Sequence, residues 1–365
     1  MIKNRLCLLS LFLCFATSTL QGKEPSRSAK DSINDLKLRV LPVIFYLPET
    51  GLGYGGIGIG TFRFKGESPD SRPSTVQAAV TLTSKKQILI FAPFEIYADE
   101  EKWRFIGEVG FYKYFYNFFG IGVNAQEEDF EIYDVTFSRA RLTVLREVVP
   151  KFSLGLAYEF DKYGKPRLEE DGLLDSGDFT GKEGGIISNL GVSAVYDSRD
   201  NIFFPTKGFF IQGNLLSSLE VLGSDFSYDK WILDSRYYQK IKGRQVLAGN
   251  LYLANNGSGA PFLDLNSLGS RRTRGFDNRR FQDNAELTMA LEYRFPIYKR
   301  IEGVAFGSTA TVAANFGTLF SSAYKNAGGI GLRYTLNKKE GTRIRMDYGI
   351  SGEGGNFYFT INEAF

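Results

Sequence analysis

Three arginines, Arg271, Arg272 and Arg274, lie close together in the stretch Gly269–Phe276. Guanidinium groups stay charged at any ordinary pH, so these side chains need carboxylates or water beside them. They fall in a polar, glycine-rich segment, residues 255–283, in which we predict no strand. A structureless loop of this length in a compact chain is usually either functional or disordered. Two interpretations are therefore open: a solvated basic loop, or a loop whose arginines bind buried acids.

The composition restricts the enzyme chemistry that the chain can perform. The sequence has no histidine, and its two cysteines, Cys7 and Cys14, both lie near the start. Mechanisms that pair histidine with serine or aspartate are therefore excluded, and no Gly-x-Ser-x-Gly elbow occurs. We predict no enzyme, no cofactor and no metal site, although a hydrolase that uses carboxylates alone is not formally excluded.

Asp197, Arg199 and Asp200 form a second charged group, followed by Pro205 and Gly208. Asp side chains can accept hydrogen bonds from nearby backbone amides, and proline and glycine set the backbone of a turn. We interpret this segment as a fixed turn rather than a catalytic carboxylate pair.

The segment Gly51–Gly56 fits the glycine spacing of a dinucleotide-binding loop. Such a loop must open a helix, and here the glycines continue into an alternating stretch instead. We therefore predict a strand rather than a nucleotide site. The net charge of +3 also gives no indication of nucleic-acid binding.

Residues 1–22 have the pattern of a secretory signal peptide: Lys3 and Arg5, then an apolar run, then small residues. Residues 23–38 are predicted to be a short polar periplasmic lead. Both cysteines lie in the signal segment, so a chain cleaved there would contain no thiol. No later segment has the apolar length of a transmembrane helix.

Residues 39–365 alternate between polar and apolar side chains. In the stretch from Glu286 to Phe295, Glu292 and Arg294 fall on one face, while Leu291 falls on the other. Period-two alternation indicates strands with one wet and one dry face. A soluble sandwich would explain any single strand. The aromatic dry faces and strands of about 10 residues favour a transmembrane barrel with a polar interior.

We predict an all-β fold, a transmembrane antiparallel β-barrel of about 16 strands with an inward-folded loop. The predicted strands are 39–47, 52–64, 75–83, 87–97, 102–115, 131–148, 152–162, 185–196, 208–219, 227–241, 244–254, 284–295, 304–315, 327–336, 342–350 and 356–365. Short turns would then lie at one end and long loops at the other, as is typical of outer-membrane barrels.

The motifs taken together resemble the Omp85 superfamily, in particular the barrel shared by BamA, TamA and the surface-antigen (D15) proteins. Arg274, Gly275 and Phe276 match that family's loop motif. Asp197, Arg199, Asp200, Pro205 and Gly208 match its periplasmic turn. Phe357, Phe359, Ile361 and Phe365 match its C-terminal strand, which would be the signal that the assembly machinery recognises during biogenesis.

The resemblance implies that the loop folds into the barrel and that Arg274 pairs with acids on the inner face. Glu292 matches one such acid, and Asn315 occupies the position of a second. Two further differences from the family pattern bear on function. The lead is too short for the POTRA repeats where clients dock, and Asn362 replaces a glycine of the insertase.

Two functions remain open. The protein would assist insertion or translocation of a polypeptide or another client at the outer membrane. Alternatively, it would be a surface-exposed structural or pore-forming barrel without insertase activity. The implied partners are outer-membrane lipid, the assembly machinery and a polypeptide client, with no nucleic acid. The implied location is the bacterial cell outer membrane.

Overall fold

The computed structural model describes residues 36–68, 71–202, 204–269, 271–337, 342–361 and 363–365. The predicted signal peptide and nearly all of the predicted lead lie outside these residues. Strand formation follows the two-residue alternation, because each strand can then bury one face and expose the other.

Eighteen strands and two short α-helices occur in the described residues, together with two single turns of 3-10 helix. The strands are β1 (Lys37–Leu47), β2 (Gly51–Phe62), β3 (Ser74–Thr83), β4 (Ile88–Ala98), β5 (Trp103–Phe118), β6 (Glu131–Val149), β7 (Phe152–Tyr163), β8 (Gly185–Asp197), β9 (Gly208–Ser218), β10 (Asp229–Lys240), β11 (Val246–Asn256), β12 (Asn266–Ser267), β13 (Gln282–Asp283), β14 (Ala285–Tyr298), β15 (Ile301–Ala313), β16 (Lys325–Asn337), β17 (Thr342–Ser351) and β18 (Gly354–Ile361). The helices are α1 (Leu173–Ser176) and α2 (Phe316–Leu319).

Sixteen of these strands form one closed antiparallel barrel, which confirms the predicted fold class. Neighbours in the chain are neighbours in the sheet, except that β14 pairs with β11 and β18 returns to β1. The two remaining strands, β12 and β13, form a two-residue ribbon inside the loop between β11 and β14. The prediction of a strand-free loop is therefore wrong in this detail.

Closure gives the two faces of the sheet opposite environments. On β14, the outward-facing Met289 and Leu291 are 41% and 61% exposed, while the charged residues Glu292 and Arg294, on the opposite face, are 0% and 3% exposed. A soluble sandwich would bury its apolar face. Here the apolar side chains point outward and the charged side chains point into the barrel, as in a membrane barrel.

The two ends of the barrel differ in their connections. The turn end carries the short links 150–151, 241–245 and 299–300, together with the longer turn 198–207. The loop end carries the connections 119–130, 164–184 and 257–284. In the part of the chain that the structure describes, no helix has the length and apolarity to cross a membrane.

The glycine-rich segment 51–60 lies within β2, which pairs with β1 and β3 along its length. An added Cβ at Gly55 would collide with the carbonyl oxygen of Val80 on β3. Glycine is therefore required at position 55 because the neighbouring backbones approach closely. The next described element after β2 is the strand β3, not a helix that could bind a dinucleotide phosphate.

Candidate functional site

Arg274 lies inside the barrel and bridges two strands that are not adjacent. Its Nη2 is 2.6 Å from Oε2 of Glu292 on β14, and its Nη1 is 2.5 Å from Oδ2 of Asp347 on β17. The Arg274 side chain is 1% exposed, and both carboxylates are fully buried. The guanidinium also stacks on the ring of Phe306, 3.6 Å from its centroid. A planar group with several donors suits this three-sided site, where a lysine could not bind both acids in this way.

Asn315 does not take part in this site, so its assignment as a lumen partner of Arg274 is wrong. Its side-chain oxygen instead accepts a hydrogen bond from the Thr318 amide, at the N-terminus of α2, and the residue is exposed. Asparagine is a favoured cap at the start of a helix, which explains this local choice. Asp347 provides the second carboxylate. Its place on the polar face of an alternating strand, beside Arg345, was the available sequence signal.

The carboxylates around Arg274 are shared with other arginines. Asp347 also binds Arg333 at 2.5 Å, and Glu292 also binds Arg294 at 2.8 Å. Arg333 continues to Glu363, its Nε lying 2.8 Å from Oε2 of that carboxylate. One chain of ion pairs thus connects the loop to Glu363, two residues beyond the end of β18, through side chains that are almost completely buried.

The backbone at Gly275 packs directly against β17. Gly275 has a φ of 121°, and an added Cβ there would lie 3.0 Å from the backbone of Ile350. Its amide donates to the hydroxyl of Tyr358 at 2.9 Å, and its carbonyl accepts from Ser351 at 3.0 Å. At Gly349, an added Cβ would lie 2.7 Å from the carbonyl carbon of Arg274. Two glycines therefore permit the close approach of loop and strand.

Phe276 fixes the loop by apolar packing. It is 1% exposed and lies beside Phe281, with ring centroids 5.9 Å apart and nearly perpendicular planes. Leu268 and Val312, both fully buried, belong to the same cluster. The three residues of the loop motif thus have distinct contacts: Arg274 binds acids, Gly275 approaches a strand, and Phe276 fills an apolar site.

The other two arginines of the stretch differ from Arg274. Arg272 stacks over the ring of Tyr252 at 3.9 Å and binds Asp234 at 3.2 Å, whereas Arg271 is exposed. Of the three arginines, Arg271 is therefore the one that fits the interpretation of a basic side chain exposed to solvent.

The turn 198–207 is held by its own side chains, as its sequence indicates. Arg199 binds Asp197, with Nη2 2.8 Å from Oδ2, and Gly208 has a φ of 107°. Asp200 accepts from the amide of Thr206 at 2.8 Å, from its hydroxyl at 2.5 Å and from the Lys207 amide. Partial burial opposes ionisation of Asp200, but these hydrogen bonds outweigh it and lower the pKa of the carboxyl below its usual value.

This turn also contacts the interior network. The Pro205 carbonyl accepts a hydrogen bond from Nη1 of Arg294 at 3.4 Å. The ring of Phe204 lies 5.1 Å from the guanidinium of Arg343 on β17. Asp197 and Asp200 are each engaged locally, and they do not form a paired carboxylate site.

The residues that match the C-terminal strand motif lie in different surroundings. Phe357 is 44% exposed on the outer face, and Phe359 lies opposite Tyr46 of β1. Ile361 is the last residue of β18, and the side chain of Ile361 and the whole of Asn362 lie outside the described residues.

Phe365 is 6% exposed and packs inside the barrel with Tyr238, Ala248 and Ala290. The strand ends at Ile361, and the side chain of Glu363 binds Arg333 and Arg343 inside the barrel. The predicted strand 356–365 is therefore wrong at its end.

The chemistry that these side chains display is ion pairing. In the described part of the chain, no three His, Cys, Asp or Glu side chains group as metal ligands would. Every carboxylate of this network is paired with at least one arginine, because a buried charge must be paired to remain inside a protein. The arrangement can hold a loop in a defined place within a barrel.

Fold and site together define a class: a closed sixteen-stranded antiparallel barrel whose interior binds the arginine of its own loop. Residues 72–365 match the sequence model of the Omp85 superfamily domain. The chain therefore belongs to the Omp85 superfamily.

Solved structures of similar fold include BamA from Haemophilus ducreyi lacking POTRA domains 1-3. That match has a TM-score of 0.58 and 18% identity, and covers 90% of this chain and 70% of that one. CdiB from Acinetobacter baumannii matches with a TM-score of 0.57 and 12% identity, over 91% of this chain and 66% of that one. CdiB from Escherichia coli matches with a TM-score of 0.59 and 9% identity, over 90% and 67%. At these identities the likeness is one of fold. The search of curated proteins gave no match.

Proposed function

We propose that this barrel lies in a bacterial outer membrane and assists the insertion or translocation of a polypeptide or another client, without enzymatic activity. Membership of the Omp85 superfamily and the apolar outer face support the location. Outer-membrane lipid would contact that face. The assembly machinery would insert the barrel, with the outward-facing aromatics of β18 as part of the recognised strand.

The observation that carries the proposal is the uneven pairing of β1. This strand is registered with β2 along its whole length, from Lys37 to Leu47. Its register with β18, among the described residues, is the single pair Tyr46 opposite Phe359. Backbone donors and acceptors at a strand edge need partners, and an extended segment from another chain can provide them. The seam between β1 and β18 is therefore where a client strand would pair.

The loop site supports a role for the interior in the same process. Arg274 and Gly275 attach the loop to β14 and β17, and β17 is the neighbour of the seam strand β18. The hydroxyl of Tyr358, on β18 itself, accepts from the Gly275 amide. The loop thus contacts β17 and β18, on one side of the seam, from inside the barrel.

A disulfide across the seam tests the proposal. Tyr46→Cys with Phe359→Cys places two thiols on directly opposed residues, whose Cα atoms in an antiparallel pair are roughly 4.5–5.5 Å apart, within the range of a disulfide. Oxidation should lower the assembly of other outer-membrane proteins in cells that depend on this variant, and reduction should restore it. Ile44→Cys with Tyr54→Cys, opposed on the fully paired β1 and β2, is the matched control and should have no effect.

Normal assembly with a verified seam disulfide would contradict client insertion at the seam. The alternative, a structural or pore-forming barrel without insertase activity, would then be favoured, and channel conductance in lipid would separate a pore from a closed barrel.

A further inference from the structure

A cavity of about 200 Å³ lies at the turn end of the barrel interior. It is bounded by the 198–207 turn, by the link between β10 and β11, and by the inner faces of β14, β15 and β17. The charged residues that line it are Lys240, Arg244, Arg294, Arg343 and Glu302. Because a water molecule occupies about 30 Å³ of liquid, the cavity has room for a small polyatomic ion with some of its water.

The lining is strongly cationic, with four basic side chains and one carboxylate. Glu302 is already bound by Arg343 at 2.8 Å and lies 3.7 Å from Arg244. Lys240 is exposed and makes no ion pair with any residue that the structure describes. The cavity therefore has more positive charge than its own carboxylate can neutralise.

The neighbouring carboxylates do not correct this imbalance. Among the residues that the structure describes, the ion pairs that extend from the cavity to the loop contain six arginines and four side-chain carboxylates, and Arg294 also donates to the main-chain oxygen of Phe365 at 3.1 Å. The arginines are Arg244, Arg274, Arg294, Arg333, Arg343 and Arg345, and the carboxylates are Glu292, Glu302, Asp347 and Glu363. Each of these acids is shared by at least two arginines, so none is free to pair with Lys240.

The cavity is where an ion from solution can reach this excess charge. Arg345, at the other end of the network, is 1% exposed and leaves no room for a ligand. Arg343 is 15% exposed and Arg244 is 49% exposed, and both line the cavity. The site thus combines space with excess positive charge that an ion from solution can reach.

We propose that this cavity binds a phosphate group. A phosphate carries up to two negative charges and several acceptor oxygens, so it can neutralise Lys240 and accept from Arg244 and Arg343 at once. A single carboxylate would leave part of the excess charge uncompensated. The phosphate would come either from solution or from the headgroup of a phospholipid, whose phosphodiester carries one negative charge and still presents two acceptor oxygens to Arg244 and Arg343.

Phosphorus NMR of the folded, detergent-solubilised protein tests the site with inorganic phosphate in about 0.1 M sodium chloride, where exposed charges are screened beyond about 10 Å. Wild-type protein should broaden the phosphate signal saturably. Lys240→Gln with Arg244→Gln should weaken the binding by about tenfold or more, because two charge-assisted contacts are lost. Lys242→Gln removes an exposed charge from the same turn without touching the cavity, and it should bind as wild type does.

A second measurement covers the lipid source. Native mass spectrometry after release from phosphatidylglycerol nanodiscs should detect a lipid adduct on wild-type protein that the double variant loses and Lys242→Gln retains. A heat-dependent gel shift equal to that of wild type shows that each variant is folded. Saturable binding in either measurement, lost in the double variant alone, supports the site. Absence of binding in both, or equal loss in Lys242→Gln, overturns it.

Discussion

Arg274 is a buried positive charge that depends on two carboxylates from different strands. Such a pair adds little to stability relative to an apolar core, because both charges lose their water. Removing one partner is far more costly, since the others remain buried without compensation. Arg274 therefore contributes mainly by holding the loop in one position. Its guanidinium nitrogens lie 2.6 Å from the Glu292 carboxylate and 2.5 Å from the Asp347 carboxylate.

Arg274→Ala should destabilise the folded barrel by about 3–5 kcal/mol, the usual cost of truncating a buried ion pair. It should also make the 257–284 loop more sensitive to protease. Arg274→Lys should give a partial loss, since an ammonium group cannot form the same paired contacts. The measurements are the temperature at which the heat-dependent gel shift occurs and the rate of loop cleavage.

Arg271→Ala is the matched control, because it removes an exposed arginine three residues away. Equal effects of the two alanine substitutions would show that the ion pairs of Arg274 contribute neither to the stability of the barrel nor to the protection of the loop from protease.

At the scale of elements, the loop and β17 approach one another through backbone rather than side chains. Gly349 faces the Arg274 carbonyl, and Gly275 faces Ile350, so neither position has space for a Cβ. The ion pairs of Arg274 can form because this contact brings its side chain between β14 and β17.

Gly349→Ala should therefore displace the loop while leaving every charged residue in place. Its Cβ would lie 2.7 Å from the Arg274 backbone, which has no flexible end to move aside. We expect increased hydrogen exchange across residues 271–276 and a smaller gain in protease sensitivity than for Arg274→Ala. Gly352→Ala, where nothing lies within 4 Å of the added Cβ, is the control. Unchanged exchange in Gly349→Ala would contradict the close-approach argument.

At the scale of the whole molecule, the closed sheet has an apolar exterior and a charged interior. Leu156, Leu291 and Ile330 are 60%, 61% and 69% exposed on the outer face. Exposed apolar surface on this scale marks contact with lipid or another protein. Among the described residues, each barrel strand pairs with both of its neighbours over much of its length, except at the sparsely paired seam between β1 and β18.

The purified barrel should require detergent and should migrate faster on a denaturing gel before boiling than after it. A closed barrel keeps its compact shape in mild detergent because its backbone hydrogen bonds are satisfied internally. Boiling should abolish the difference. A monomeric protein that stays in solution without detergent would contradict the membrane barrel.

The alternation of polar and apolar residues determined the all-β class, the number of barrel strands and the inward or outward face of residues within the strands, because the two-residue period is a local property of the strand. It also placed Glu292 on the inner face. Tertiary structure alone decided which side chains meet across the interior. Asp347 rather than Asn315 binds Arg274, and residues 363–365 leave the sheet to enter the barrel. The physical reason is that these contacts join residues far apart in the chain, and their geometry depends on the curvature of the closed sheet.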